Sequence, residues 1–521
     1  MTIRPWRDHL GPGDHLSVAD LLSSGTLLAA WSRRWGEDPG ARLWLEPTSP
    51  AASGATGPGP ARPTGSWWTA DEFDAATRRA AGRLRTAGLR TGDRVVWSTP
   101  SSVASLVAHV GARRAGLVVV PANPAYSERE LAHIVSDVGA AAAIVDRDEQ
   151  ARWVRRAAAG PVVVTGPGLD LPDGDPGPVD AASPDDPALI CFTSGTTGVP
   201  KGAVLRHRNL LAATESVTAA WRWTAEDRLV HCLPIFHAHG LAVGVYGTLL
   251  AGGSAVLLPG FDPGAVAAAA EDHGTTLFFG VPTMYHRLVG SGQLGRLRGQ
   301  RLCVSGSAPL PAGLHAAVTA ASGIVVLERF GMTETLMNVS NPYEGERRAG
   351  TVGFPLPGVE VRLAGDGEIL VRGPNVFDGY WERPQANAEA FVAADDAGRG
   401  GSPWFRTGDV GEESDGYLVI RGRTKELIIS GGFNVYPGEV EDVLARHPAV
   451  AEVAVTGTAS AEWGEVVTAW IVPDGPAPSV EELARFTQST LAPYKRPRLV
   501  HVVDGLPRNA LGKVVRSQLG T

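Results

Sequence analysis

Short apolar runs alternate with amphipathic stretches along most of this chain. Thr69-Ala70-Asp71-Glu72 sets a hydroxyl three residues ahead of a carboxylate, the spacing of a capping box, and predicts a helix to about Thr86. Arg94–Ser98 predicts a strand, Val103–Ala115 a helix, and Leu117-Val118-Val119-Val120-Pro121 a second buried strand. Ser127-Glu128-Arg129-Glu130 repeats the capping pattern, with Leu131, Ile134, Val135 and Val138 at helical spacing until Gly139, and Ala140–Val145 returns as a strand. This alternation predicts an α/β fold with helices on both faces of its sheets.

Further on, the runs Ala188–Phe192, Thr276–Val281, Leu302–Val304 and Val325–Leu327 each pass from apolar residues into small or polar ones, the mark of a strand entering a loop. Pro282 suits the first turn of a helix, on which Met284, Arg287 and Leu288 share a face. Val359–Leu363 and Glu368–Val371 read as a hairpin across Gly365-Asp366-Gly367. The end of the chain reads as a small α+β unit: Leu427-Ile428-Ile429, a helix over Glu439–Arg446, and strands at Val450–Val455 and Val466–Val472. Gly166–Pro187 reads as a linker and Pro50–Gly65 as a surface insertion, while residues 1–45 carry little pattern.

A chain of 521 residues exceeds what one hydrophobic core supports and implies at least two domains. A hydrophobic content of 44% with 20% charged residues is that of a soluble globular protein. The formal charge of −8 argues against a nucleic-acid or anionic-membrane surface, so local cations must meet any anionic ligand. Cys191, Cys232 and Cys303 lie far apart in apolar stretches and read as buried thiols, with neither zinc nor a disulfide implied. The first residues lack the apolar core of a signal peptide, and no run is long and apolar enough to span a membrane, so a reducing cytoplasm is expected.

Chemistry concentrates at Thr193-Ser194-Gly195-Thr196-Thr197-Gly198-Val199-Pro200-Lys201-Gly202. Glycines let the backbone approach a ligand closely, and hydroxyls and N–H groups with a terminal lysine suit a polyanion, so this loop reads as a phosphate cradle. Its spacing is not that of a Walker P-loop. In Leu233-Pro234-Ile235-Phe236-His237-Ala238-His239-Gly240, two histidines two apart on an extended segment face one side, which admits a metal pair or a structural role. Arg287 is either a surface residue with a snorkelling stem or a bidentate clamp for a carboxylate.

The phosphate loop resembles that of the adenylate-forming acyl-CoA synthetases, and the later motifs extend the resemblance over most of the chain. Within that family VPTMYHRL, VSGSAPL and ERFGMTETLMN look most like the malonyl-CoA synthetases. The resemblance implies a large N-terminal domain, 1–424, holding the acyl and ATP sites, and a small C-terminal lid, 425–521, turning about Lys425. It implies that Thr193–Lys201 binds ATP together with Gly306, Ser307, Ala308, Glu328, Arg329, Phe330, Gly331 and Met332. Phe330 stands where the family usually has tyrosine, which keeps the stacking face and loses a hydroxyl. Asp409 and Arg423 are matched to the ribose, Thr333 to an α-phosphate oxygen, and Thr196 and Glu334 to Mg²⁺. His237 is matched to the border of the acyl pocket, Arg287 and Ser305 to the substrate carboxylate, Gly431 and Gly432 to CoA, and Lys513 to the catalytic lysine. A buried Arg287 would disfavour a long fatty-acyl chain, which would leave that cation unpaired.

The implied reaction joins an acid to AMP, releasing pyrophosphate, and then transfers the acyl group to CoA. Three alternatives stay open at this stage: a carrier protein or other nucleophile as acceptor, another small oxyanion as substrate, and an inactive nucleotide-binding regulator.

Overall fold

The computed structural model describes residues 3–10, 17–47, 65–193, 200–393, 402–460, 462–509 and 512–520. Of the expected Pro50–Gly65 insertion only Gly65 falls within them. Both capping boxes form: Thr69 and Glu72 exchange side-chain to backbone bonds at the start of the helix Ala70–Thr86, as do Ser127 and Glu130 at the start of Glu128–Val138. Gly139 ends the second helix with a left-handed φ of 58°, open to it because it lacks a Cβ.

Two large sheets dominate the N-terminal part. A six-stranded sheet runs in the order Val163–Thr165, Ala142–Val145, Arg94–Ser98, Val118–Pro121, Pro187–Thr193, Lys201–Arg206, parallel except for the last strand. A nine-stranded sheet has six adjacent parallel strands: Leu327–Phe330, Leu302–Ser305, Leu277–Gly280, Arg228–His231, Ser254–Leu257 and Arg42–Leu45. Both faces of these strands are covered, which is why the runs are continuously apolar.

The two-residue alternation sorts each strand between layers. Val95, Trp97 and Val119 of one sheet join Leu277, Phe279 and Val304 of the other in the central core, with helices Leu27–Glu37, Val103–Arg114 and His207–Ala220 between. Val96, Val118 and Val120 face the outer helices Glu128–Val138 and Asp148–Ala157. Phe278 and Cys303 face those over Pro263–Asp272 and Pro282–Gly290. The three cysteines are free and buried, their thiols pushed up to about 12 by burial.

A third, antiparallel sheet includes the expected hairpin, with Glu360–Leu363 paired to Glu368–Arg372, and the long pair Trp404–Ser414 and Tyr417–Arg423. A short helical turn, Thr424–Glu426, leads from it into the C-terminal unit. There Ile428–Ser430, Phe433–Val435, Val450–Ser460, Gly464–Pro473 and Leu499–Val502 form a mixed sheet with helices Pro437–Leu444 and Val480–Phe486 and a core of its own. Gly166–Pro187 carries no regular element before its final residue. Among the described residues no helix is long and apolar enough to cross a membrane.

Candidate active site

The C-terminal ends of the parallel strands in the nine-stranded sheet lie side by side. Gly280 is in register with Ser305, and Ser305 with Glu328. Ligands of open parallel sheets bind beyond these ends, and the strand ends and the segments leaving them carry His237 and His239, Thr283, Ser305–Ala308, and Phe330–Glu334.

Ser194, Gly195, Thr196, Thr197, Gly198 and Val199 lie outside the described residues. The flanking strands are antiparallel and pair Thr193 with Lys201. Backbone bonds from Val204 to Gly379 and from Trp381 to Gly202, 3.0 and 2.7 Å, tie that pair of strands to residues 379–381. Tyr380 is fixed between them, its ring 5.2 Å from Lys201 Nζ and its hydroxyl donating to Glu334 Oε1 at 3.0 Å. Burial raises the Glu334 pKa, while its own amide, Tyr380 and Arg423 oppose that shift.

Asp409 and Arg423 sit opposite each other in the third sheet and join through Arg423 Nε and Asp409 Oδ1 at 3.0 Å. Asp409 is raised by burial and held down by Arg423 and Lys513. Lys513 is lowered by burial and by Arg423, against the pull of Glu426 and Asp409. A tight loop carries it, with the Lys513 amide on Asn509 Oδ1 at 3.0 Å. The loop docks on the large unit, because a Cβ at Gly512 would stand 2.7 Å from Thr283 Oγ1. Lys513, Asp409, Arg423 and Glu334 therefore share one electrostatic environment.

On the acyl side the sequence reading needs two corrections. His237 and His239 are not on an extended segment: the chain turns at Ile235–His237 and enters a single π-helical stretch, His239–Val245, so two-residue alternation does not apply. His237 is half-buried and pushed down to about 4 by burial; His239 is buried, neutral and bonded through Nδ1 to Ser307 Oγ at 3.3 Å. Arg287 is exposed, with its guanidinium 4.9 Å from the centre of the Phe261 ring, so it is no buried cation that a long acyl chain would strand.

Ser305 and Arg329 are buried, Ser307 holds a left-handed φ of 69°, and Ala308, Phe330, Gly331, Met332 and Thr333 are half-buried along the crevice. Glu328 accepts from the Leu310 amide at 2.8 Å, and burial pushes it up to about 8. Gly431 and Gly432 form the exposed tip of a two-residue hairpin, with φ of 59° and 82°, and Gly431 packs on Trp463. Lys425 is exposed in the turn before the C-terminal unit. Tyr380 and Thr283 escaped sequence reasoning, since a tyrosine after a loop glycine and a threonine after a helix-opening proline announce no partner.

A two-part chain of helix-covered sheets with this crevice and a small C-terminal unit defines the adenylate-forming class. The chain belongs to the AMP-binding enzyme family, matched over residues 49–381, with the AMP-binding enzyme C-terminal domain over residues 439–513, and is an AMP-forming acyl-CoA synthetase. A feruloyl-CoA synthase from Amycolatopsis sp is 38% identical over 86% of this chain and 92% of that protein. The ATP-bound crystal structure of MatB from Rhodopseudomonas palustris superposes with a TM-score of 0.84 at 38% identity, covering 94% of this chain and 98% of that one. A malonyl-CoA ligase in a ternary product complex with methylmalonyl-CoA and AMP is 42% identical over 90% of this chain and 98% of its own, with a TM-score of 0.62.

Proposed function

We propose that this enzyme activates a short dicarboxylate, malonate or methylmalonate, with ATP and passes the acyl group to CoA. One observation carries the substrate: Thr283, which meets the Lys513 loop, and Arg287 lie four residues apart on one face of the helix Pro282–Gly290. A cation one helical turn from the contact that brings in Lys513 suits an acid with a second carboxylate. The likeness to a malonyl-CoA ligase supports the same reading.

A carboxylate is a poor acyl donor, because hydroxide leaves badly. In the proposed first step the substrate carboxylate attacks the α-phosphorus in line and pyrophosphate departs. No proton need move, so positioning and charge neutralisation supply the rate. Thr193–Lys201 holds the outer phosphates, Asp409 the ribose, Phe330 stacks on the purine, Thr333 donates to the α-phosphate, and Lys513 neutralises charge between the carboxylate and the α-phosphate. Glu334, a buried oxygen donor oriented by Tyr380, fits a hard cation, so it would hold the Mg²⁺ that accompanies ATP, with Thr196. Bound there, Mg²⁺ supplies Lewis-acid charge neutralisation.

In the second step the CoA thiol attacks the acyl carbon and AMP leaves. The lid, residues 425–521, turns about Lys425 so that Lys513 withdraws and Gly431-Gly432 comes to the pantetheine. The closer superposition on the ATP-bound relative, 0.84 against 0.62, supports reading the present arrangement as the adenylating one.

The test is AMP and acyl-CoA formation with ATP, Mg²⁺ and CoA across malonate, methylmalonate, acetate, ferulate and a long fatty acid. Selective turnover of the diacids is expected. Turnover of ferulate or the fatty acid without the diacids would keep the enzyme class and discard the substrate.

A further inference from the structure

We infer that Tyr246, gripped by His109 and Arg113, is a positioning residue: it keeps the stretch His239–Val245 in its wide π-helical form and so sets where His239 stands in the crevice. The inference needs the acyl-CoA synthetase class and not the dicarboxylate reading.

An α-helix closes each turn on the fourth residue back and a π-helix on the fifth, a rarer form that marks functional sites. Here the wide stretch is held at both ends. At its start His231 Nε2 donates to Gly240 O at 2.8 Å, and His239 Nδ1 meets Ser307 Oγ at 3.3 Å. Gly244 packs on the same His231 ring, since a Cβ there would stand 2.6 Å from Nε2. At its finish the Tyr246 amide donates to Leu241 O, five residues back. Tyr246 therefore closes a wide turn with its own backbone.

The side chain of Tyr246 anchors that end to another element. Its hydroxyl is 2.8 Å from His109 Nε2, the two rings stack at 5.8 Å, and the Arg113 guanidinium lies 5.6 Å from the tyrosine ring centre. His109 and Arg113 are four residues apart on the helix Val103–Arg114 and share a face. All three side chains are fully buried.

Arg113 makes the grip stiff. Its Nη2 meets His207 Nδ1 at 3.2 Å, Nε and Nη1 are buried without a partner, and among the described residues no carboxylate pairs with it. The adjacent Arg114 shows the ordinary arrangement, paired with Asp74 and bonded to Thr77 Oγ1. A desolvated cation left with an imidazole nitrogen and an aromatic face is costly to part from either, so it opposes any withdrawal of the tyrosine ring.

Without the grip the Tyr246 amide is free to move to Ala242 O, its α-helical partner four residues back. The surplus residue of the wide turn must then be taken up towards His239, which turns that ring off Ser307 and away from the strand ends.

The experiment compares wild type with Tyr246→Phe, His109→Phe, the double variant and Arg113→Met. It measures hydrogen exchange of the amides of residues 239–246, the KM for the acid and for ATP in pyrophosphate exchange, and the melting temperature. The acid is the fastest exchanged of malonate, ferulate and acetate, so a failure of the dicarboxylate reading leaves this test standing. Tyr246→Phe should speed exchange of those amides ~10-fold and raise the acid KM ~10-fold, with the KM for ATP unchanged. Arg113→Met should move both in the same direction. The double variant should be no worse than Tyr246→Phe, because the histidine has no hydroxyl left to hold. If Tyr246→Phe does not fold, His109→Phe and Arg113→Met read the same split between acid KM and ATP KM.

A lowered melting temperature with both KM values unchanged makes the cluster ordinary core packing and overturns the inference. Acid and ATP KM values that rise together overturn it as well, as does unchanged amide exchange. Additive losses in the double variant overturn the grip of His109 on Tyr246.

Discussion

Gly512 stands directly against Thr283: its φ is 75°, and a Cβ on it would lie 2.7 Å from the threonine hydroxyl oxygen. The residue before Lys513 therefore fits the large unit only as glycine. Gly512→Val combines backbone strain with a collision and should keep Lys513 from seating. Adenylate formation should fall ~100-fold, as expected for a misplacement of about 1 Å, while a preformed acyl-adenylate is still converted to thioester. Single-turnover measurements of the two half-reactions check it, and equal slowing of both would contradict the docking role.

Lys513 shares its surroundings with Asp409 and Arg423, and burial with Arg423 nearby lowers its pKa while the acids Glu426 and Asp409 raise it. Lys513→Ala should reduce adenylation ~10²- to 10³-fold, the scale for removing one pre-placed charge from a transition state. Thioester formation from supplied adenylate should persist. Loss of both activities would show that the lysine serves more than the first step.

Tyr380 donates to Glu334 and so favours its charged form against burial. Removing that bond in Tyr380→Phe should raise the carboxyl pKa further, because the charged form loses a stabilising donor. Protonation then competes with metal up to higher pH. The acid limb of the pH–rate profile should move upward and apparent Mg²⁺ affinity should fall ~10-fold, the scale for an outer-shell partner. A Mg²⁺ titration at two pH values reads both effects.

Glu328 offers a stability test. Its folded pKa is raised from 4.5 to about 8 by burial, so it contributes stability fully below pH 4.5 and loses it as pH rises through about 8. Glu328→Gln keeps an acceptor for the Leu310 amide and cannot ionise. Across that window the melting temperature of wild type should decline more steeply than that of the variant, and parallel curves would remove Glu328 as the source.

The α/β class and the elements with local punctuation were legible in the chain itself. Thr69–Glu72, Ser127–Glu130 and Gly139 act within a few residues of their own positions, so their spacing is sufficient information. Residues 1–45 were not legible, although they hold the helix Leu27–Glu37 and the strand Arg42–Leu45. Trp31 packs 5.2 Å from the Tyr246 ring and Trp35 5.7 Å from Phe73, partners that no local pattern names.

The site divides in the same way. Composition and spacing singled out the Thr193–Gly202 loop with Lys201, because hydroxyls, glycines and a lysine at a strand end suit a polyanion, whereas Glu334, Asp409 and Lys513 were picked out by the resemblance to the acyl-CoA synthetases. Which of them share a field depended on the docking of a loop near residue 513 against a helix that begins at residue 282. Helical spacing set Arg287 on a face but could not say that the face is open to water, and alternation misread His237 and His239 where the chain coils. Arg329 shows the difference most plainly: its sequence neighbours mark a nucleotide loop, whereas its burial against Gly306, with no carboxylate paired to it among the described residues, arises only when two parallel strands come side by side. Local spacing determines what each segment can form and bind, and tertiary packing alone decides which charges are stripped of water and which partners they are left without.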